Sequence, residues 1–267
     1  MKHSTDIAQA RKRTKARMRA NLVGLMPGTL YLWTYVMEEA NVAAVAAHLS
    51  AILSPDELEQ SLRLHRAADR HRFITSHAFV RLVLSRHCAV DASRWQFNRT
   101  AEGKPFVTAP NLPQMPAFSL SHTYGMAACL IGLSAEVGVD VERLAYHSDL
   151  PHIAPSILAV SELQRLRGQS GANWTMRFFQ HWTLKEAYAK ARGLGLSLRP
   201  RDVAFEFPAD GVIRGHFAAA LRDNPSNWFF HSHCPSSAHV LSLAVPAPSE
   251  ILVRSFVFQA VKPSTCL

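Results

Sequence analysis

Val137-Gly138-Val139-Asp140-Val141-Glu142 is the stretch from which the rest of this chain can be read. Successive side chains of a strand point to opposite faces. Val137, Val139 and Val141 therefore share one face, and Asp140 and Glu142 share the other. The valines predict a strand packed on a core, and Gly138 leaves room for a close approach, which favours a metal ion beside the two carboxylates. Two adjacent carboxylates repel each other unless a cation sits between them. Further on, Trp182-Thr183-Leu184-Lys185-Glu186-Ala187-Tyr188-Ala189-Lys190 reads as a helix with Glu186 and Lys190 on one face, a turn apart. Each motif alone has an ordinary explanation, a solvated strand edge for the first and an i,i+4 surface pair for the second. Taken together, a third carboxylate with lysines beside it makes a site for a hard metal ion and a polyphosphate.

Upstream of the strand, a first strand is expected over Leu30 to Met37. Ser54-Pro55-Asp56-Glu57 opens a helix, with Ser54 as N-cap, Pro55 at the first position and Glu57 closing a capping box. One or two helices follow to about His87, with Phe73, Phe79, Val80, Val83 and Leu84 as their apolar stripe. Strands are predicted at Trp95 to Asn98 and Phe106-Val107 around a Glu102-Gly103-Lys104-Pro105 turn, then at Phe118 to Ser121 and Met126 to Leu133. Downstream the order returns. A helix from about Met176 to Arg192 stops at Gly193, a hairpin runs over Val203 to Phe207 and Val212-Ile213, and strands follow at Trp228 to His233 and His239 to Ala244.

The expected fold is α+β, with two pseudo-twofold-related subdomains, each a small, mainly antiparallel sheet packed on a long helix. The divisions are a basic disordered tail over residues 1–28, subdomains over 29–135 and 136–250, and a C-terminal extension over 251–267.

A length of 267 residues accommodates two such halves, and the formal charge is +9. Seven basic residues against Asp6 give the first twenty residues +6, leaving +3 for the remainder, so the high pI does not argue for nucleic acid. The basic leader lacks the apolar segment of a secretory signal, and a tail is expected rather than the Arg-rich transit peptide it also resembles. No apolar run long enough to span a membrane occurs. Cys88, Cys129, Cys234 and Cys266 are scattered, which suits a reducing cytoplasm.

Gly-Val-Asp-Val-Glu followed by Phe178-x-x-x-Trp182-Thr-Leu-Lys185-Glu186-Ala-x-x-Lys190 closely resembles the signature of the 4′-phosphopantetheinyl transferase superfamily. Leu53-Ser54-Pro55, Asp69-Arg70-His71-Arg72-Phe73, Glu102-Gly103-Lys104-Pro105, Phe118 to Thr123 and Gly193 to Ser197 match further stretches in the expected order. The two-half layout is similar to the Sfp-type group, which are pseudodimeric monomers.

That resemblance implies an enzyme that moves the 4′-phosphopantetheine of coenzyme A to a serine of an apo acyl or peptidyl carrier protein, releasing adenosine 3′,5′-bisphosphate. It implies Mg²⁺ on Asp140, Glu142 and Glu186, with Glu186 as proton acceptor and Lys190 at the departing phosphate. Asp140 and His122 complete the implied catalytic set. Coenzyme A contacts are implied at Arg72, His71, Lys104, Pro105, Ser121, His122, Lys185 and Lys190. One departure is that related enzymes often carry lysines after the Ser-Pro helix start, where Glu57 and Gln60 stand here.

The rival readings are a non-catalytic binder of carrier proteins or coenzyme A, and a nucleic-acid-binding protein resting only on the tail. His231, His233, Cys234 and His239 suggest zinc but lack a second cysteine pair. Trp174, Phe178, Phe179 and Trp182 read as core.

Overall fold

Alternation along Thr29–Val36 gives β1 two buried faces. Tyr31, Trp33 and Tyr35 enter one core, while Leu30 and Leu32 enter another. The computed structural model describes residues 23–134, 136–247 and 252–259. After β1 come α1 (Glu39–Leu49), α2 (Pro55–Leu62) and the long α3 (Ala67–His87). The hairpin β2 (Gln96–Arg99) and β3 (Pro105–Ala109) leads into β4 (Ala117–Thr123) and β5 (Met126–Gly132). The second half starts at β6 (Gly138–Arg143) and continues through α4 (Leu150–Ile157), α5 (Val160–Leu166) and the long α6 (Gly171–Arg192). The hairpin β7 (Val203–Glu206) and β8 (Arg214–Phe217) precedes β9 (Trp228–Ser236) and β10 (His239–Pro246), and β11 (Leu252–Phe258) is the last described element.

Two sheets carry the fold. One has the order β11-β1-β5-β4, antiparallel except where β11 runs parallel to β1, and the other has the antiparallel order β6-β10-β9. Leu30, Leu32 and Leu130 of the first sheet meet Val139, Val141, Leu241 and Leu243 of the second, with Val137 just before β6, in a shared core. The outer face of the first sheet packs on α3 through Phe79, Val80, Val83 and Leu84. The outer face of the second packs on α6 through Leu184, Ala187 and Tyr188. The layers are thus helix, sheet, sheet, helix. Strand, long helix, hairpin and strand pair recur in each half, so the α+β pseudo-twofold expectation holds.

Local signals explain several element ends. The Ser54 capping box forms in both directions, at 3.2 Å from Glu57 N–H to Ser54 Oγ and 2.9 Å from Ser54 N–H to Glu57 Oε2. Burial alone would raise the Glu57 pKa, but hydrogen bonds from His77, Ser54 and Arg81, with the Arg81 charge, bring it down to about 2. Glu57 is therefore a structural clamp between α2 and α3, with Arg81 Nη2 at 2.6 Å. At the end of α6, Gly193 adopts φ 67°, the left-handed cap that glycine accommodates.

Other expectations change. Phe73 lies only partly buried, stacked on His77 at 3.8 Å between centroids, rather than in the core stripe. Val212 and Ile213 are loop, because Asp210 Oδ1 accepts from Val212 N–H at 2.9 Å and extends the turn. Of the expected tail, residues 1–22 lie outside the described residues, whereas Val23 is held by Arg86 and His87. Of the expected C-terminal extension, β11 joins the sheet of the first half. Among the described residues no helix is long and apolar enough to cross a membrane.

Candidate active site

The Asp140/Glu142 face of β6 lies beside β4, and the seam between these strands opens into a cleft of about 330 Å³. Ser121 and His122 of the first half line it, with Asp140, Glu142, Glu186 and Lys190 of the second. Close approach of α6 to β6 is possible because position 138 is glycine. A methyl there would stand 1.9 Å from the Ala187 carbonyl oxygen. Six of the residues expected at the site therefore share one cavity.

Asp140 is 4 % exposed, and its Oδ1 accepts from Ser121 Oγ at 2.7 Å and from Lys190 Nζ at 2.6 Å. Its Oδ2 is buried and has no hydrogen-bond partner among the described residues. A buried carboxylate oxygen left unpaired is costly, unless a cation or water satisfies it. Glu142 Oε2 accepts from Thr123 Oγ1 at 3.0 Å. Burial and then the Asp140 charge push the Glu142 pKa up to about 7, against the opposing pull of Thr123, Lys190 and Trp182. Burial, followed by Asp140, also raises Glu186, with Lys190 opposing. Three carboxylate side chains line this cleft, a donor chemistry that suits a hard divalent cation. They are not drawn in as a finished ligand set: among the described residues no three His, Cys, Asp or Glu side chains converge as metal ligands. Lys190 Nζ places a positive charge at Asp140 Oδ1.

His122 sits exposed at the rim. Desolvation, then the charges of His77, Lys190 and Arg72, lower its pKa from the ordinary imidazole value, so it is neutral at pH 7.

Other expected residues stand elsewhere. Lys185, expected as a coenzyme A contact, lies apart from the cleft. It is 1 % exposed, 2.7 Å from Glu162 Oε2, and donates to the Pro200 and Val203 carbonyls, away from the cleft. Phosphate cannot reach it without breaking this buried pair. Lys104 donates to the Ala191 carbonyl at 2.6 Å, near the end of α6, and neither it nor Pro105 lines the cleft. Burial lowers the Lys104 pKa to about 8, with Glu136 opposing. His71 and Arg72 lie on α3 outside the lining, where Arg72 pairs with Asp69 and Glu39.

Trp182 packs against the core of the second half, as the core reading expects, and also reaches the cleft. It is half-buried and lines the cleft together with Leu120. The signal was present, since Trp182, Glu186 and Lys190 follow one another at intervals of four along α6. Thr123 was missed as well, although it follows Ser121 on the same face of β4. His231 and His233 share a strand face with ring centroids 5.2 Å apart, but Cys234 approaches the Met176 sulfur instead of joining them.

Residues 136–244 match the family model of the 4′-phosphopantetheinyl transferase superfamily. Residues 41–132 match that of the 4′-phosphopantetheinyl transferase N-terminal region. The 4′-phosphopantetheinyl transferase HetI of Nostoc sp. is 29% identical over 173 residues, spanning 65% of this chain and 72% of the relative. The 4′-phosphopantetheinyl transferase Sfp of Bacillus subtilis is 29% identical over 163 residues, 61% of this chain and 70% of its own. A phosphopantetheinyl transferase of Thraustochytrium sp. is 28% identical over 214 residues, 76% and 73% of the two chains. The family matches fall one on each half of a repeated fold, and the chain belongs to the 4′-phosphopantetheinyl transferase superfamily, in its Sfp-type group.

Proposed function

We propose that the protein transfers the 4′-phosphopantetheine of coenzyme A to a serine hydroxyl of an apo acyl or peptidyl carrier protein, with adenosine 3′,5′-bisphosphate leaving. The observation that carries this reading is the buried Asp140 Oδ2, without a hydrogen-bond partner among the described residues, in a cleft it shares with Glu142, Glu186 and Lys190. Asp140, Glu142 and Glu186 would hold Mg²⁺, which supplies charge neutralisation at the pyrophosphate oxygens.

The protein's own groups divide the remaining work. Glu186, its pKa raised by burial and by Asp140, is suited to accept the proton of the attacking serine hydroxyl. The serine oxygen forms the new bond to phosphorus as the bond to the bisphosphate oxygen breaks. Lys190, already in the cleft, stabilises the negative charge on that leaving group. His122, neutral at the rim, offers a hydrogen bond to a coenzyme A phosphate, and Ser121 lies beside it. Arg72, His71, Lys104 and Pro105 stand outside the cleft and belong to the more distant nucleotide contacts in this reading.

Both halves contribute to one cleft, which supports division near residue 135 and a monomer sufficient for activity. A cytoplasmic location accords with the free Cys88, Cys129 and Cys234.

The test is incubation with coenzyme A, Mg²⁺ and a panel of apo acyl and peptidyl carrier proteins, followed by intact-mass measurement. A phosphopantetheine mass gain on the carrier serine is expected, and Asp140→Ala should abolish it. Coenzyme A binding without mass gain on any carrier would overturn the catalytic reading in favour of a binder.

A further inference from the structure

The edges of the two sheets meet at β4 and β6, which lie in different sheets and share no backbone ladder. Side-chain hydroxyls take its place. Ser119, Ser121 and Thr123 alternate onto one face of β4. Ser119 Oγ accepts from Val139 N–H at 3.1 Å, Ser121 Oγ donates to Asp140 Oδ1 at 2.7 Å, and Thr123 Oγ1 donates to Glu142 Oε2 at 3.0 Å. One half of the molecule thus supplies the acids and the other half supplies donors that hold them. Ser121 and Thr123 each engage a single carboxylate oxygen, and on Asp140 the other oxygen is the buried atom without a partner among the described residues.

We infer that Thr123 is a positioning residue for divalent-cation binding, its hydroxyl fixing the Glu142 carboxylate from across the seam between the halves. This inference rests on the metal-dependent transfer proposed above. Thr123 does not line the cleft and so acts through Glu142. A hydroxyl donor fixes the rotation of a ligating carboxylate, which otherwise must be ordered at the moment of binding. Partners of this kind change metal affinity by about 10- to 100-fold when removed.

The experiment measures Mn²⁺ binding by electron paramagnetic resonance on the full chain with coenzyme A present, for wild type, Thr123→Val and Thr123→Ser. Valine keeps the shape and removes the donor, whereas serine keeps the donor. The expected result is affinity weakened about tenfold or more in the valine variant and restored to within about twofold by serine. The thermal midpoint should stay unchanged in both, and raising Mg²⁺ should recover more of the transfer rate in the valine variant than is seen at low Mg²⁺. Wild-type affinity in Thr123→Val would overturn the inference while leaving the proposed function standing. Equal losses in the valine and serine variants would overturn it as well, assigning Thr123 to packing. No Mn²⁺ binding by the wild type would sink the metal reading itself, and this inference with it.

Discussion

Lys185 and Lys190 stand on the same helix and meet opposite environments. At about 100° per residue, positions 182, 186 and 190 form one row facing the cleft, and position 185 turns toward the interior. There Lys185 meets Glu162, whose pKa burial alone would raise. The His181 and Lys185 contacts outweigh that and lower it to about 2. The sequence motif named both lysines as coenzyme A contacts and gave no sign that Lys185 is buried in an ion pair, because Glu162 belongs to a helix that no local signal announced. Lys185→Met leaves Glu162 buried without its cation, and removing one partner of a buried pair costs about 3–5 kcal/mol. The expected outcome is a lowered urea midpoint with coenzyme A affinity of the folded protein preserved. Unchanged stability with lost affinity would return Lys185 to the role of a phosphate contact.

Elements with self-contained signals were legible. The Ser54 box, the Gly193 cap and the alternating valines of β6 each specify their geometry within a few residues. Those that were missed lack such marks. The N-cap of α1, Glu38, makes no side-chain cap, and α4 carries Pro155 inside it. The start of α5 is fixed by Glu162 reaching back to the Ala159 N–H at 2.8 Å, a bond invisible as a Ser or Thr cap. Contact between β6 and α6 depends on Gly138, which the sequence reading tied to the metal site rather than to the helix, and it gives a sharp test. In Gly138→Ala the new methyl meets the Ala187 oxygen at 1.9 Å and the Ala191 nitrogen at 2.7 Å. Both are helix backbone, so α6 must move as a body. Overpacking commonly costs about 1–3 kcal/mol, and a collision with backbone belongs at the upper end or beyond. Since Trp182, Glu186 and Lys190 travel with α6, stability and transfer should fall together, as denaturant titration and the mass assay would record. Retained activity at reduced stability would mean that the cleft tolerates displacement of the helix.

At the scale of the molecule, the repeat was legible because element order survives where residue identity does not. The edge partner of β1 was not legible, since pairing between residues 29 and 252 is long-range and leaves no mark on local composition. β11 covers that edge along the full register from Thr29↔Leu252 to Tyr35↔Phe258. Phe256 stacks on Tyr31 and Trp33, and Phe258 meets Tyr35 and Phe79. At roughly 0.5–1.5 kcal/mol for each of these four pairs, their loss alone removes about 2–6 kcal/mol. A chain ended after Ala247 also bares the hydrogen-bonding edge of β1, an invitation to intermolecular pairing. We expect it to melt at lower temperature and to aggregate on concentration, as calorimetry and light scattering would measure. The cleft borders β4, at the opposite end of the β11-β1-β5-β4 order, so transfer per folded molecule should persist. Loss of transfer at unaltered melting temperature would instead tie the last strand to the site, across the whole width of the sheet.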